Sequence, residues 1–113
     1  MTIAIVTATI AARGTITPAV AITGPIIGII MPAGWAPAVV VSVQGSADGV
    51  NFYDLYDGVT AKELSFNVKQ NSMVAISPNR LCCCTAIKLR SGTTSSPVMQ
   101  PIACQFSIIV QGP

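Results

Sequence analysis

The chain contains no histidine, only 9% charged residues and only 5% aromatic residues. Without histidine, Ser-His-Asp and Cys-His nucleophilic systems are excluded, as are most zinc enzymes. An ordinary soluble domain carries roughly 25% charged residues, and here none occurs between Gly14 and Ala47. Outward strand positions are normally charged, which discourages edge-to-edge pairing. Their scarcity implies that other protein covers much of the outer surface. Net charge is +2 with no basic cluster, so nothing electrostatic favours nucleic acid. Long unbroken apolar runs are missing too. A membrane-crossing helix needs about 20 such residues, and Gly14, Pro18, Gly24, Pro25, Gly28, Pro32 and Pro37 cut every run short. A secretory leader places positive charge ahead of its apolar stretch. Here Arg13 follows MTIAIVTATIAA, and Thr2, Thr7 and Thr9 recur within it, so this segment is expected to be mature β-strand.

What is abundant is valine, isoleucine and threonine, punctuated by proline and glycine, with no sustained 3.6-residue period. The pattern predicts an all-β fold: a two-sheet antiparallel β-sandwich or jelly roll of about eight strands, formed by residues 1–113 as one domain. The candidate strand segments are residues 2–12, 15–23, 25–31, 38–44, 51–56, 64–68, 73–77, 81–90 and 102–111. Asp48-Gly49 and Asp57-Gly58 flank NFYDLY, and Asp-Gly between apolar runs signals type I′ hairpin turns. AVVVSV, NFYDLY and the segment after them therefore read as a β-meander, with Phe52 and Leu55 in the core. In residues 102–110, the alternate residues Ile102, Cys104, Phe106, Ile108 and Val110 are all apolar and their neighbours include Gln105, Ser107 and Gln111, the mark of a half-buried strand. AVVVSV and PIIGIIM look apolar on both faces, so one face of each needs a second cover. A neighbouring subunit is the natural cover.

Chemistry is sparse. Asp48 and Asp57 are accounted for as turn residues. Asp54 and Glu63 could form a glycosidase-like carboxyl pair, but nothing in the sequence brings them together. A calcium site from Asp48, Asp54 and Asp57 matches no compact loop motif. Cys82, Cys83 and Cys84 are adjacent, whereas metal sites usually space their cysteines by two to four residues. On a strand with Ile87 and Leu89 inward and Lys88 and Arg90 outward, Cys83 faces in while Cys82 and Cys84 face out. A disulfide to Cys104 is one reading; reduced, small apolar residues in a reducing cytoplasm are the default. No metal, cofactor or catalytic residue is expected. The candidate residues form a protein interface: Trp35 in the MPAGWAP loop, Ile27 and Ile29 in PIIGIIM, Cys82 and Cys84, and Thr94, Val98 and Met99. Trp35 has an alternative place plugging one end of the core. The last three lie in the polar loop 90–101, which either reaches a neighbouring subunit or closes one end of the sandwich.

VVVSVQGSADGVNFYDLYD resembles the discoidin-like (galactose-binding-like) jelly roll, in which a strand leads into Ser-x-Asp-Gly and then an aromatic residue. AIKLRSGT looks like that family's penultimate strand. The ordered set MP-x-x-W, QGSADGVNFYDLYD, KLRSGT and PV-x-Q is also similar to small structural proteins of tailed bacteriophages. The resemblance implies a virion protein, most concretely a capsid decoration or cement protein. Such a protein is assembled in the host cytoplasm and sits on the outer capsid surface. It forms a homo-oligomer, with a trimer favoured, and clamps neighbouring major capsid subunits. A tail or baseplate component is the alternative within the virion. A carbohydrate-binding adhesion module is the alternative outside that class, and it needs exposed aromatics for sugar stacking. Trp35, Tyr53 and Tyr56 are its candidates. Neither nucleic acid nor membrane is an expected partner.

Overall fold

Chains rich in β-branched residues and broken by Pro and Gly tend to pair as strands, and the described part of this one forms strands and loops only. The computed structural model describes residues 2–36, 39–81 and 83–112, and among them there is no helix. The described residues form nine strands: β1 (Ile3–Ile10), β2 (Val20–Ala21), β3 (Ile26–Ile30), β4 (Val41–Ser46), β5 (Tyr53–Asp54), β6 (Ser65–Phe66), β7 (Met73–Ala75), β8 (Ala86–Ser91) and β9 (Cys104–Gln111). One antiparallel sheet has the order β1-β9-β3-β7; the other has β2-β8-β4-β5, with β6 also paired to β4. The chain changes sheet at nearly every connection and its first and last strands are neighbours, the wiring of a jelly roll. The all-β sandwich expected from the sequence is the fold observed.

The core lies between the sheets. Phe106, Ile108 and Ile10 face Ile87, Leu89 and Val43 from the opposite sheet, all with essentially no exposure. Trp35 belongs to this core. It is 1% exposed, meets Phe106 edge-on at 5.4 Å between ring centroids, and donates from Nε1 to the Val39 carbonyl at 3.3 Å. The interface role expected of Trp35 is therefore corrected. Tucked between two prolines, its loop turns the indole inward, where its large apolar surface is removed from water.

Several strands are shorter than the pattern implied. The segment 15–23 contributes only Val20–Ala21 as strand, since Pro18 interrupts the ladder. Thr17 compensates by accepting a hydrogen bond from the Leu89 N–H at its Oγ1, 3.0 Å away. The meander also differs from expectation. β5 pairs with Gln44 and Gly45, and β6 pairs with Val41 and Ser42, so both lie on the same side of β4. Residues 55–64 form a flap looping out of what is otherwise one broken edge strand, with Tyr56 bridged to Glu63.

Neither Asp-Gly pair makes a type I′ turn. At the first, only Gly49 has positive φ (81°). The Asp48 carboxylate organises the loop instead, accepting from the Val50 and Asn51 N–H groups at 2.8 Å. At the second, the positive φ falls on Ala61 (58°) and not on Gly58, while Asp57 Oδ1 accepts from the Val59 N–H at 2.7 Å. Both aspartates are turn residues, as expected. They act through side-chain acceptance, which suits loops longer than two residues.

Candidate functional site

The two outer faces of the sandwich carry the chain's distinctive surface chemistry. On the β1-β9-β3-β7 sheet, register sets Ile5 beside Ile109, Ile109 beside Gly28, and Gly28 beside Ala75. The next row outward contains Ile30 and Met73. With Ile3 and Ile27 they line a shallow, almost wholly apolar concavity of about 380 Å³. Gly28 forms its floor, because a Cβ there would press within 3.2 Å of the Ile109 side chain and the Val74 carbonyl. Ile3, Ile5 and Met73 are 57%, 60% and 67% exposed. Among the described residues, no charged side chain lines this concavity.

A β-bulge decides which isoleucines reach it. Strict alternation along PIIGIIM would put Ile27 and Ile29 on one face. The register shifts between Ile26 and Gly28, so Ile27 and Ile30 turn outward while Ile26 and Ile29 are fully buried. Two successive residues of a bulged strand share a side, and here they are Ile27 and Gly28. Ile27 keeps its place on the candidate surface. Ile29 is corrected to the core.

The β2-β8-β4-β5 sheet closes its outer face with polar groups. Arg90 points away from the core, yet its side chain is only 9% exposed. Nη2 donates to Asp54 Oδ1 at 2.7 Å, and Nη1 donates to Thr94 Oγ1 at 2.7 Å and to Glu63 Oε2 at 3.3 Å. Thr94 also donates its hydroxyl to Glu63 Oε2 and its N–H to the same carboxylate at 3.1 Å. Gln44 Nε2 reaches Asp54 Oδ1 at 3.1 Å. The Arg90 hydrogen bond holds the Asp54 carboxyl below its ordinary range. The buried guanidinium, bonded through Nη1 and Nη2, ties the flap, the 92–97 turn and the sheet together. Its donors are directed at protein groups. Phe52, expected in the core, lies on this outer side with Lys88 Nζ 4.5 Å from its ring centroid. Leu55 is packed against the core, as expected.

Asp54 and Glu63 are thus brought together, which sequence reasoning missed. The available signal was the flap: pairing Tyr56 with Glu63 puts Glu63 diagonally across from Asp54 on one face. Asp48 and Asp57 instead cap their own loops, so the three aspartates do not converge. Among the described residues no cluster of three metal-ligating side chains forms.

Cys83 and Cys84 lie in a turn, not on a strand. The Cys84 N–H donates to the Leu81 carbonyl at 3.2 Å, and β8 begins only at Ala86. Cys83 is exposed and Cys84 is half-buried against the core, the reverse of the expected facing. Turn geometry breaks the two-residue alternation on which that expectation rested. Cys82 lies outside the described residues. Cys104 forms no disulfide; it is buried, and burial pushes its thiol pKa up.

In the 92–101 segment, Met99 is exposed, Val98 is half-buried, and the Thr94 hydroxyl is committed to the Arg90 cluster. The segment folds onto its own domain. Gln100 is fully buried, donates from Nε2 to Ser91 Oγ at 2.9 Å and accepts from the Ala36 N–H at 3.3 Å. Of the described residues among those proposed from sequence, only Ile27 lines the apolar concavity. Ile3, Ile5, Ile30, Met73 and Ile109 were missed. Comparisons with protein-family models, with curated proteins and with solved structures yield no match to this chain. Fold and surface together define a jelly-roll sandwich with one polar, self-closed face and one bare apolar face.

Proposed function

We propose that the protein is a structural component of a bacteriophage virion, most concretely a capsid decoration (cement) protein. In this reading it oligomerises on the outer capsid and strengthens contacts between major capsid subunits. The observation that carries the proposal is the bare apolar face around Gly28. Burying apolar surface contributes about 25 cal/mol per Å², and a shell offers the same docking site many times over. The resemblance of the ordered sequence blocks to small phage structural proteins suggests the virion context. Jelly rolls serve many functions, so the fold alone is not the argument.

The test is co-sedimentation of purified protein with expanded capsids. Wild-type protein is expected to pellet with the shells, and Ile30→Asp is expected to abolish binding while the protein stays folded. Wild-type protein that ignores capsids would overturn the capsid assignment. Locating the protein in intact particles by electron microscopy separates the capsid surface from the tail or baseplate. The carbohydrate-binding alternative loses one of its three aromatic candidates, because Trp35 is buried. Tyr53 and Tyr56 remain exposed, and a glycan array tests them directly.

A further inference from the structure

We infer that two copies of this chain pair edge to edge through β1, antiparallel about a two-fold axis at Val6. β1 is a sheet edge, hydrogen-bonded to β9 alone. Its ladder extends to the Gly112 N–H donating to the Thr2 carbonyl, in the Thr2–Gly112 register position. In an antiparallel ladder such bonded positions recur every second residue. Ala4, Val6, Ala8 and Ile10 therefore bond to β9. The backbone N–H and C=O groups of Ile3, Ile5, Thr7 and Thr9 point away from the sheet, with no strand beside them among the described residues.

Natural sheets protect such edges by keeping them short, by charge, by proline or by a bulge. The other edges here follow that rule. β7 has three residues, β2 has two and follows Pro18, and β5 and β6 have two each with the flap between them. β1 has eight residues, an unbroken register, no proline and no charge. Its β-branched Ile3, Ile5, Val6, Thr7 and Thr9 favour an extended chain. It is built to be paired.

The occupant is a second copy because the edge is complementary to itself. With the axis at Val6, Ile3 faces Thr9 of the other copy and Ile5 faces its Thr7, so every outward donor meets an acceptor. The pairing forms about eight hydrogen bonds. No like charges meet, since residues 2–12 carry none. A foreign partner chosen by charge would find nothing to read here. An axis relating antiparallel neighbours in a sheet stands normal to it, so both apolar faces look the same way. Ile3 and Ile5, which line the concavity of each copy, then lie along the seam with the two Ile5 side chains as diagonal neighbours, which joins the two concavities into one surface. The pairing is isologous and closed. It is independent of the capsid assignment and differs from the three-fold assembly expected from sequence.

The experiment is light scattering with residue-resolved amide exchange across a concentration series of the full chain. The expected result is a mass of twice 11.6 kDa, with the Ile3, Ile5, Thr7 and Thr9 amides protected only at concentrations where the dimer forms. Thr7→Pro removes one edge N–H from each copy without touching the bonds to β9. It is expected to weaken association roughly tenfold or more. Ile5→Lys supplies the missing edge charge and gives the same loss should the proline variant fail to fold. Val6→Cys, whose side chains meet at the axis, is expected to form a cross-linked dimer on oxidation, beyond any seen in wild type, while Thr9→Cys is not. A monomer at every concentration overturns the inference. So does a trimer, or any oligomer in which these four amides exchange freely or both edge variants associate normally. Capsid binding, scored separately on the same variants, is not needed for any of these outcomes.

Discussion

The two outer faces of this sandwich handle exposure in opposite ways. The β8-β4 side folds its own loops over the sheet and closes them with Arg90, Asp54, Glu63 and Thr94. The β9-β3 side leaves isoleucine and methionine bare. Closing a face with an ion cluster contributes to the fold of one chain. Leaving a face apolar contributes nothing until a second protein covers it, so the two faces should respond to substitution in opposite ways.

A shared reference comes from the core beneath both. Trp35→Ala is expected to destabilise by about 4 kcal/mol in urea unfolding, the largest effect, through the cavity left beside Phe106. On the polar face, Arg90→Met strands two carboxylates and should cost about 3 kcal/mol while leaving capsid binding intact. Loss of binding without loss of stability in that variant would break the contrast between the faces.

Asp54→Asn sharpens the same point through pH. The folded-state pKa of Asp54 lies below its ordinary value of 3.8, so its stabilisation is fully present above about pH 4. It is lost as pH falls through the lower folded value. Thermal melts should show the variant about 1 kcal/mol less stable at pH 7, with the gap narrowing below pH 4. A gap that widens on acidification would contradict the Arg90–Asp54 pair. On the apolar face, Ile30→Asp should cost about 1 kcal/mol in unfolding, the strand preference lost at a half-buried position, although it is expected to abolish capsid binding.

Part of this division is legible in the sequence. Most of the alternation in β9 is explicit, because Cys104, Phe106, Ile108 and Val110 are apolar and Gln105, Ser107 and Gln111 are polar, with Ile109 the apolar exception on the outer side. The missing charge announces an apolar surface, but composition does not say where on the sandwich it lies. Trp35 is ambiguous because a loop tryptophan between prolines suits an interface or a core equally well by composition. The cysteine run misleads because strand alternation stops at the start of β8 and does not reach into the turn ahead of it.

By itself, the sequence determined the β class, the half-buried character of the last strand and the two aspartate-led loops. Those properties follow from local preference and a two-residue period, which neighbours along the chain enforce. Only the tertiary structure decided that Ile30 and not Ile29 faces out, since one bulge reverses the facing of every residue beyond it. It alone gathered Asp54, Glu63 and Thr94 around Arg90, because that meeting depends on strands and loops far apart in sequence. It alone made β1 an edge. An edge is a matter of which strand has no neighbour, and no run of residues can state that about itself.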